Sequence, residues 1–466
     1  MTAVPRLRLR SGQQVRSGQQ VPSGQQVPSG QRVPSGPRLP VAVQTVLFAR
    51  YRHRWLPLLR RRHGRSFLLR LAPHRRSVVA VSEPADLRAV FAGPAAVFHA
   101  GEGNAILGPV MGRQSVLLLD EDEHLRIRRL LMPAFHGVPL RGYRELIEEL
   151  TRAEVSRWPT GVPLRLHERM QRLTLEIILQ VVFGVSDESR LAQLRPVVDR
   201  VVRIKPVIML GWFYPRLRRW WPWRSFGDLQ RELDRLLYAE IAERRLAPDL
   251  ADRSDVLSRL LRAGDATGDD DAGSLTDAEL RDNLITLLLA GHETTATALA
   301  WAFSELARNP GVQVRAQHAA DAAEEDYLEA VAKESLRLHP VIYEVARKVT
   351  APVDVAGCRV PAGATVLPVI GLAHSDPRRH PDPMRFDPER FLGTQPAPNT
   401  WIPFGGGPRR CLGAGFSLLE ATVVLAEVLS RFDLAPDRAR PERSKARNIT
   451  LAPSRGSRVT LSARTG

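Results

Sequence analysis

Two stretches of this chain hold side chains whose types and spacing suit chemistry. The first runs Phe404-Gly-Gly-Gly-Pro-Arg-Arg-Cys-Leu-Gly413. Its cysteine, Cys411, lies among Gly405, Gly406, Gly407 and Gly413, which let a flat, bulky group approach the backbone. Leu412, Phe416, Leu419, Val423 and Ala426 then recur at helical spacing. The sulfur is therefore expected at a helix N-terminus, where free N–H groups and the dipole favour an anion. A thiolate so placed can ligate a metal carried by a planar cofactor. The second stretch is Gly291-His-Glu-Thr-Thr295, after the apolar run Leu284–Ala290. A carboxylate and a hydroxyl inside a buried helix cost free energy unless they have partners or a role.

The second stretch needs a long helix to carry it. Thr276-Asp-Ala-Glu279 has the form of a capping box. The helix it opens is expected to reach Asn309-Pro310, about 50 Å at 1.5 Å per residue. Gly291 loosens such a helix by roughly 1 kcal/mol relative to alanine, and Thr294 can take the carbonyl of Ala290 from its usual partner. Together they favour a local bulge with room for water or dioxygen; a Thr294 that merely bonds back to its own helix is the plainer alternative. A zinc site at His292-Glu293 fails, because the fourth residue after His292 is Ala296.

The rest of the chain must position these two stretches. No break in composition divides it after residue 41, so one large domain is expected over 41–466. Residues 11–40 are a hexapeptide repeat, from Ser-Gly-Gln-Gln-Val-Arg to Ser-Gly-Pro-Arg-Leu-Pro. Such units bury too little to repay ordering, so residues 1–40 are expected to be a disordered tail. Val41–Arg62 has helical spacing. Ser66–Leu71 and Ser77–Val81 read as strands joined by a turn at Ala72–Arg76. Further short strands are expected in Val353–Val366, with a tight turn at Pro361-Ala-Gly363, and at Arg458–Ser462. Pro377–Phe391 reads as irregular, and helix dominates between Glu121 and Ser430. The expected fold class is mainly α with small β-sheets around a long central helix.

The net charge is +17, from 67 basic and 50 acidic residues; it gives either simply a well-solvated, arginine-rich surface or a basic face that docks an acidic protein. The basic residues are scattered and no zinc-finger or RNA-binding signature occurs, so nucleic acid is not an expected partner. Two cysteines, Cys358 and Cys411, exclude a disulfide scaffold and fit a reducing compartment. No run of about 18 apolar residues occurs, so no transmembrane segment is expected; Met1–Pro40 also lacks the apolar centre of a signal peptide. The expected location is cytoplasmic. Between Trp212 and Phe226, aromatic residues alternate with Arg216, Arg218, Arg219 and Arg224. These rings either cover the core between two helices or form a basic, apolar lip for peripheral contact with a membrane or greasy ligands.

Four motifs in this order resemble the cytochrome P-450 family of haem-thiolate monooxygenases, of the soluble bacterial type. They are the Cys411 loop, Ala290–Thr295, Glu334-Ser-Leu-Arg337 within Lys333–Pro340, and Pro388-Glu-Arg-Phe391. The resemblance covers about Leu39 to the C-terminus. It implies the cytochrome P-450 fold, a helical haem-binding domain, and haem b (iron protoporphyrin IX) as cofactor. It implies that Cys411 is the axial ligand of the haem iron, its thiolate pushing electron density onto the metal. Phe404 would shield that thiolate from water, and Gly413 would line the cofactor. His124, Arg128, Arg347 and Arg409 match contacts to the two propionates. Glu334, Arg337 and Arg390 match a structural ion triad. Glu293 and Thr294 match the acid–alcohol pair that delivers protons during oxygen activation.

The implied reaction inserts one atom of O2 into a hydrophobic small molecule (fatty acid, terpenoid or polyketide-like), the other atom leaving as water. Electrons would come from a separate ferredoxin or flavodoxin, fed from NAD(P)H only indirectly through a reductase, and docking near Arg126, Arg129 and Arg410. A monomer is expected. The pocket is expected to draw on Val97–Val116, the segment near Trp212, Leu287–Thr295, Val341–Val345 and Ile449–Leu451. Glu344 stands where the family has apolar residues facing the haem; it is read as meeting a polar substrate group or pointing outward. Pro310–Glu329 is shorter than the family leads one to expect. Two other classes stay open: a peroxide-driven peroxygenase or haem isomerase on the same scaffold, and a non-catalytic haem protein that binds or senses a ligand.

Overall fold

The computed structural model describes residues 34–466 apart from 74, 185–187, 203–207, 209–214, 266–273 and 465–466. The chain opens with α1 (Val41–His63), β1 (Ser66–Leu71), β2 (Arg76–Val81), α2 (Pro84–Phe91) and the short β3 (Phe98–His99). A mainly helical part follows: α3 (Glu121–Leu131), α4 (Gly137–Val155), β4 (Pro163–Arg165), α5 (Leu166–Phe183), α6 (Trp223–Arg245), α7 (Asp277–Leu306), α8 (Pro310–Asp321) and α9 (Glu325–Leu338). Then come β5 (Arg347–Val349), β6 (Val353–Val355), β7 (Cys358–Val360), β8 (Thr365–Pro368), α10 (Ala414–Leu429), β9 (Phe432–Pro436), β10 (Ser444–Arg447), β11 (Thr450–Pro453) and β12 (Arg458–Ala463).

The central helix α7 begins where the capping box places it. Thr276 Oγ1 accepts from the Glu279 N–H at 3.2 Å, and the Glu279 carboxylate accepts from the Thr276 N–H at 2.9 Å. The helix stops at Leu306, three residues before the expected end. The Asn309 side chain donates to the Glu305 carbonyl at 2.8 Å, and Pro310 opens α8, so the chain turns before the proline. Helices α5, α9 and α10 pack along α7. A Cβ on Gly291 would lie 2.8 Å from Ile178 Cδ1 of α5. The helix runs through Gly291 without interruption, so this glycine serves the approach of α5 and no bulge forms. Only Ala322–Glu324 separate α8 from α9, which explains how the short stretch after Pro310 still carries a helix and the start of the next.

A five-stranded sheet, in the order β1-β2-β8-β5-β3, packs beside the helices; β2 and β8 are parallel and its other pairs antiparallel. A three-stranded sheet has the order β4-β12-β9, and β6–β7 and β10–β11 are hairpins. A bridge between Ile342 and Thr450 ties the last hairpin to the segment after α9. The final repeat unit belongs to the folded part: the Leu68 N–H donates to the Ser35 carbonyl at 3.0 Å, and Gln44 donates to the carbonyls of Pro37 and Leu39. Trp212, Phe213 and Tyr214 lie outside the described residues. Of their neighbours, Phe226 packs against the core, whereas Trp220 and Trp221 are 69% and 79% exposed. Among the described residues, no helix is long and apolar enough to cross a membrane.

Candidate functional site

Cys411 sits on a closed loop between a short 3-10 turn (Gly407–Arg409) and α10. Its N–H donates to the Phe404 carbonyl at 2.8 Å. Gly407 takes φ +63°, and a Cβ there would fall 1.8 Å from the Phe91 carbonyl oxygen. The glycines at 406 and 407 therefore let α2 approach, a role the sequence reading gave to a cofactor; Gly413 faces open space. Phe404 packs with Ala298, Leu336 and Val341, and its ring meets Trp401 edge-on at 6.0 Å.

The sulfur is two residues ahead of Gly413, the N-cap of α10, so it is not in the first turn. Cys411 is open to solvent but sits in a recess of the protein. That depth pushes the thiol pKa up; the Gly413 N–H, Arg128 and Arg410 pull it down. The helix end alone does not secure the anion, and coordination to a metal would complete the deprotonation.

The four expected propionate contacts converge. His124 on α3 is 3% exposed, and burial with Arg409, Arg128 and Arg347 lowers its pKa to about 3. Burial likewise lowers Arg347 and Arg409 to about 10. Arg409 bonds Asp120 at 2.6 Å and the Val116 carbonyl at 3.3 Å. Three guanidiniums thus gather where Asp120 is the opposing carboxylate among the named groups, and Asp120 was not foreseen from the sequence. Such a surplus of half-buried positive charge fits an anionic group with two carboxylates. With the thiolate loop beside Arg128, these residues fit haem.

On α7, residues 289–291 and Thr294 are the accessible positions in an otherwise buried stretch from Asp282 to Ser304. Thr294 Oγ1 donates to the Ala290 carbonyl at 2.5 Å, the back-bonded alternative. Glu293 points elsewhere. Gln171 of α5 donates to its Oε2 at 2.6 Å, Arg447 is 3.4 Å from Oε1, and His167 Nε2 is 4.0 Å from Oε1. The sequence offered no local signal for these partners.

Glu334, Arg337 and Arg390 come together. Arg337 binds Glu334 through two bonds of 2.6 and 2.8 Å, and Arg390 Nε is 3.4 Å from the same carboxylate. Arg337 also donates to the carbonyls of His374, Pro383 and Arg385. His374 in turn accepts the Ile402 N–H at 2.8 Å, and Trp401 donates to the Lys333 carbonyl. The triad thereby fixes the backbone that leads into the Cys411 loop.

One reading needs correction. Glu344 neither meets the pocket nor points outward: its Oε1 lies 3.1 Å from Arg52 Nε of α1, and its side chain is 12% exposed. Arg126 is occupied by an ion pair with Glu279, whereas Arg129 and Arg410 are exposed.

Comparison with known proteins agrees with this geometry. The family model described as Cytochrome P450 matches residues 33–459. "Putative cytochrome P450 135A1" of Mycobacterium tuberculosis is 48% identical over 420 residues, covering 90% of this chain and 93% of that protein. "Putative cytochrome P450 135B1" of the same organism is 44% identical over 428 residues, covering 91% of this chain and 90% of that one. The solved structure "Retinoic acid bound cyanobacterial CYP120A1" superposes with a TM-score of 0.79 at 23% identity, over 93% of this chain and 100% of that chain, a likeness of fold. The chain belongs to the cytochrome P450 family, and it is a haem b monooxygenase.

Proposed function

We propose that this monooxygenase inserts one oxygen atom into an apolar small molecule, with electrons delivered by a separate ferredoxin or flavodoxin. The observation that carries the reading is Thr294 on the accessible strip of α7, with the buried carboxylate of Glu293 next to it in the chain. Haem, when bound, supplies oxygen activation at its iron. Cys411 would hold the iron, and His124, Arg128, Arg347 and Arg409 would hold the propionates. Thr294, on the accessible strip, would pass protons inward, and Glu293 behind it would resupply them. Leu289 and Ala290, with the segments near Val345 and Ile449, would form apolar walls suited to fatty acid, terpenoid or polyketide-like ligands. Exposed Arg129 and Arg410 are the proposed donor contacts. The same proposal has residues 41–466 act as one catalytic domain and as a monomer. It has Trp220 and Trp221 touch membrane or greasy ligands peripherally. A chain with only two cysteines suits a reducing, cytoplasmic setting.

Thr294→Ala tests this reading. Product per NAD(P)H is expected to fall at least about tenfold while reductant consumption continues and hydrogen peroxide accumulates. Unchanged coupling would instead favour the peroxide-driven alternative.

A further inference from the structure

The acid and the alcohol are not facing each other. Thr294 gives its hydroxyl hydrogen to Ala290, and Glu293 is held by groups on two other elements. For the carboxylate to resupply Thr294 it must leave part of that setting. Gln171 and His167 belong to α5, and both are buried against α7. Arg447 differs. Its side chain is 33% exposed, and it ends β10, one strand of a two-stranded hairpin.

That hairpin is tied at several points. Thr450 bridges to Ile342 in the segment after α9. Arg52 of α1 donates to the carbonyls of Asn448 at 3.1 Å and Thr450 at 3.4 Å. Trp301 of α7 donates to the Leu451 carbonyl at 3.2 Å. Between these ties the tip carries Ile449, 43% exposed. One small hairpin thus bears both a proposed wall of the ligand pocket and a cation on the relay carboxylate.

We propose that Arg447 is a positioning residue for Glu293, and that it couples the β10–β11 hairpin to proton resupply. The proposal rests on reading Glu293 and Thr294 as the relay. With the hairpin at rest, Arg447 holds the carboxylate away from Thr294. A ligand that presses on the tip shifts Arg447 and frees Glu293 to turn. Glu293 then takes a proton from water and gives it to the Thr294 oxygen. Thr294 releases its own hydroxyl proton inward, and both side chains return to their starting states. The device keeps protons from the reacting centre until the pocket is filled.

The test uses the full-length holoenzyme without ligand, as wild type, Arg447→Met, Arg447→Lys, Arg52→Lys, Glu293→Gln and Thr294→Ala. The first readout is the infrared carboxylate band of Glu293, assigned by difference against Glu293→Gln. Arg447→Met is expected to shift that band and Arg447→Lys to leave it in place. The second readout is NADPH consumption with peroxide release, using a plant-type ferredoxin and its reductase. Arg447→Met is expected to raise this ligand-free leak about threefold, the range for a partly exposed ion pair. Arg52→Lys, which is too short to hold both tip carbonyls, is expected to move both readouts in the same direction by less. If Arg447→Met moves neither readout while Thr294→Ala still uncouples, the positioning role is wrong and the relay stands. If Arg52→Lys matches wild type, the coupling to the hairpin is wrong. If Thr294→Ala and Glu293→Gln both leave coupling unchanged, the relay reading itself falls.

Discussion

The pair formed by Glu344 and Arg52 makes a pH-dependent contribution whose sign runs against a simple ion pair. Glu344 Oε1 is 3.1 Å from Arg52 Nε, which by itself would favour the carboxylate. Burial outweighs that attraction and raises the Glu344 pKa from 4.5 to about 7. Between those two values the folded protein keeps a proton that the unfolded chain releases. Raising the pH through that window therefore costs the folded state. At about 1.4 kcal/mol per unit the full loss is on the order of 3 kcal/mol. Glu344→Gln keeps an acceptor for Arg52 and cannot titrate. The variant should match wild type near the lower end of the window and exceed it by on the order of 3 kcal/mol above the upper end. Urea unfolding followed by circular dichroism across that pH range measures the difference. A difference that does not change with pH, or a variant that loses ground as the pH rises, would refute the reasoning and show the charged pair to be stabilising.

The ion triad and the glycines give further expectations. Arg337→Met leaves Glu334 fully buried with only part of its partners, and should cost about 3–5 kcal/mol in unfolding free energy. Arg390→Met, which removes the longer contact to Glu334, a bond to the Asp382 carbonyl and a 3.9 Å contact to Asp387, should cost about 1–2 kcal/mol; equal costs would contradict the geometry. Gly407→Ala sets a Cβ on the Phe91 backbone at positive φ, so it should lose about 3 kcal/mol or more and fail to retain haem. Gly291→Ala gains helix propensity but sets a Cβ 2.8 Å from Cδ1 and 3.0 Å from Cγ1 of the buried, β-branched Ile178, so it should cost a net of about 1–2 kcal/mol, less than Gly407→Ala. A denaturation series with haem absorbance as a second probe checks both.

What was legible in the sequence was local. The capping box at Thr276 and Glu279, the strands around Ala72–Arg76, and the Glu334–Arg337 spacing are set by neighbours within a few residues. The Cys411 loop and the convergence of His124, Arg128, Arg347 and Arg409 were found by motif order, since their positions span most of the chain. What escaped was pairing set by tertiary packing. Arg52 and Glu344 are 292 positions apart, and Arg447 reaches Glu293 from a different element. No periodicity or spacing announces such contacts. The glycines show the opposite error. Gly291 and Gly407 were read as making room for small molecules or a cofactor, but Ile178 and Phe91 occupy that room.

The account depends most on sulfur ligation of haem by Cys411. The reduced carbonyl difference spectrum of the holoprotein, compared with that of Cys411→Ser, tests it directly. The predicted result is the red-shifted band of a thiolate ligand in the wild type and its loss in the variant. A wild-type spectrum without that band, or one that Cys411→Ser leaves unchanged, would contradict the account.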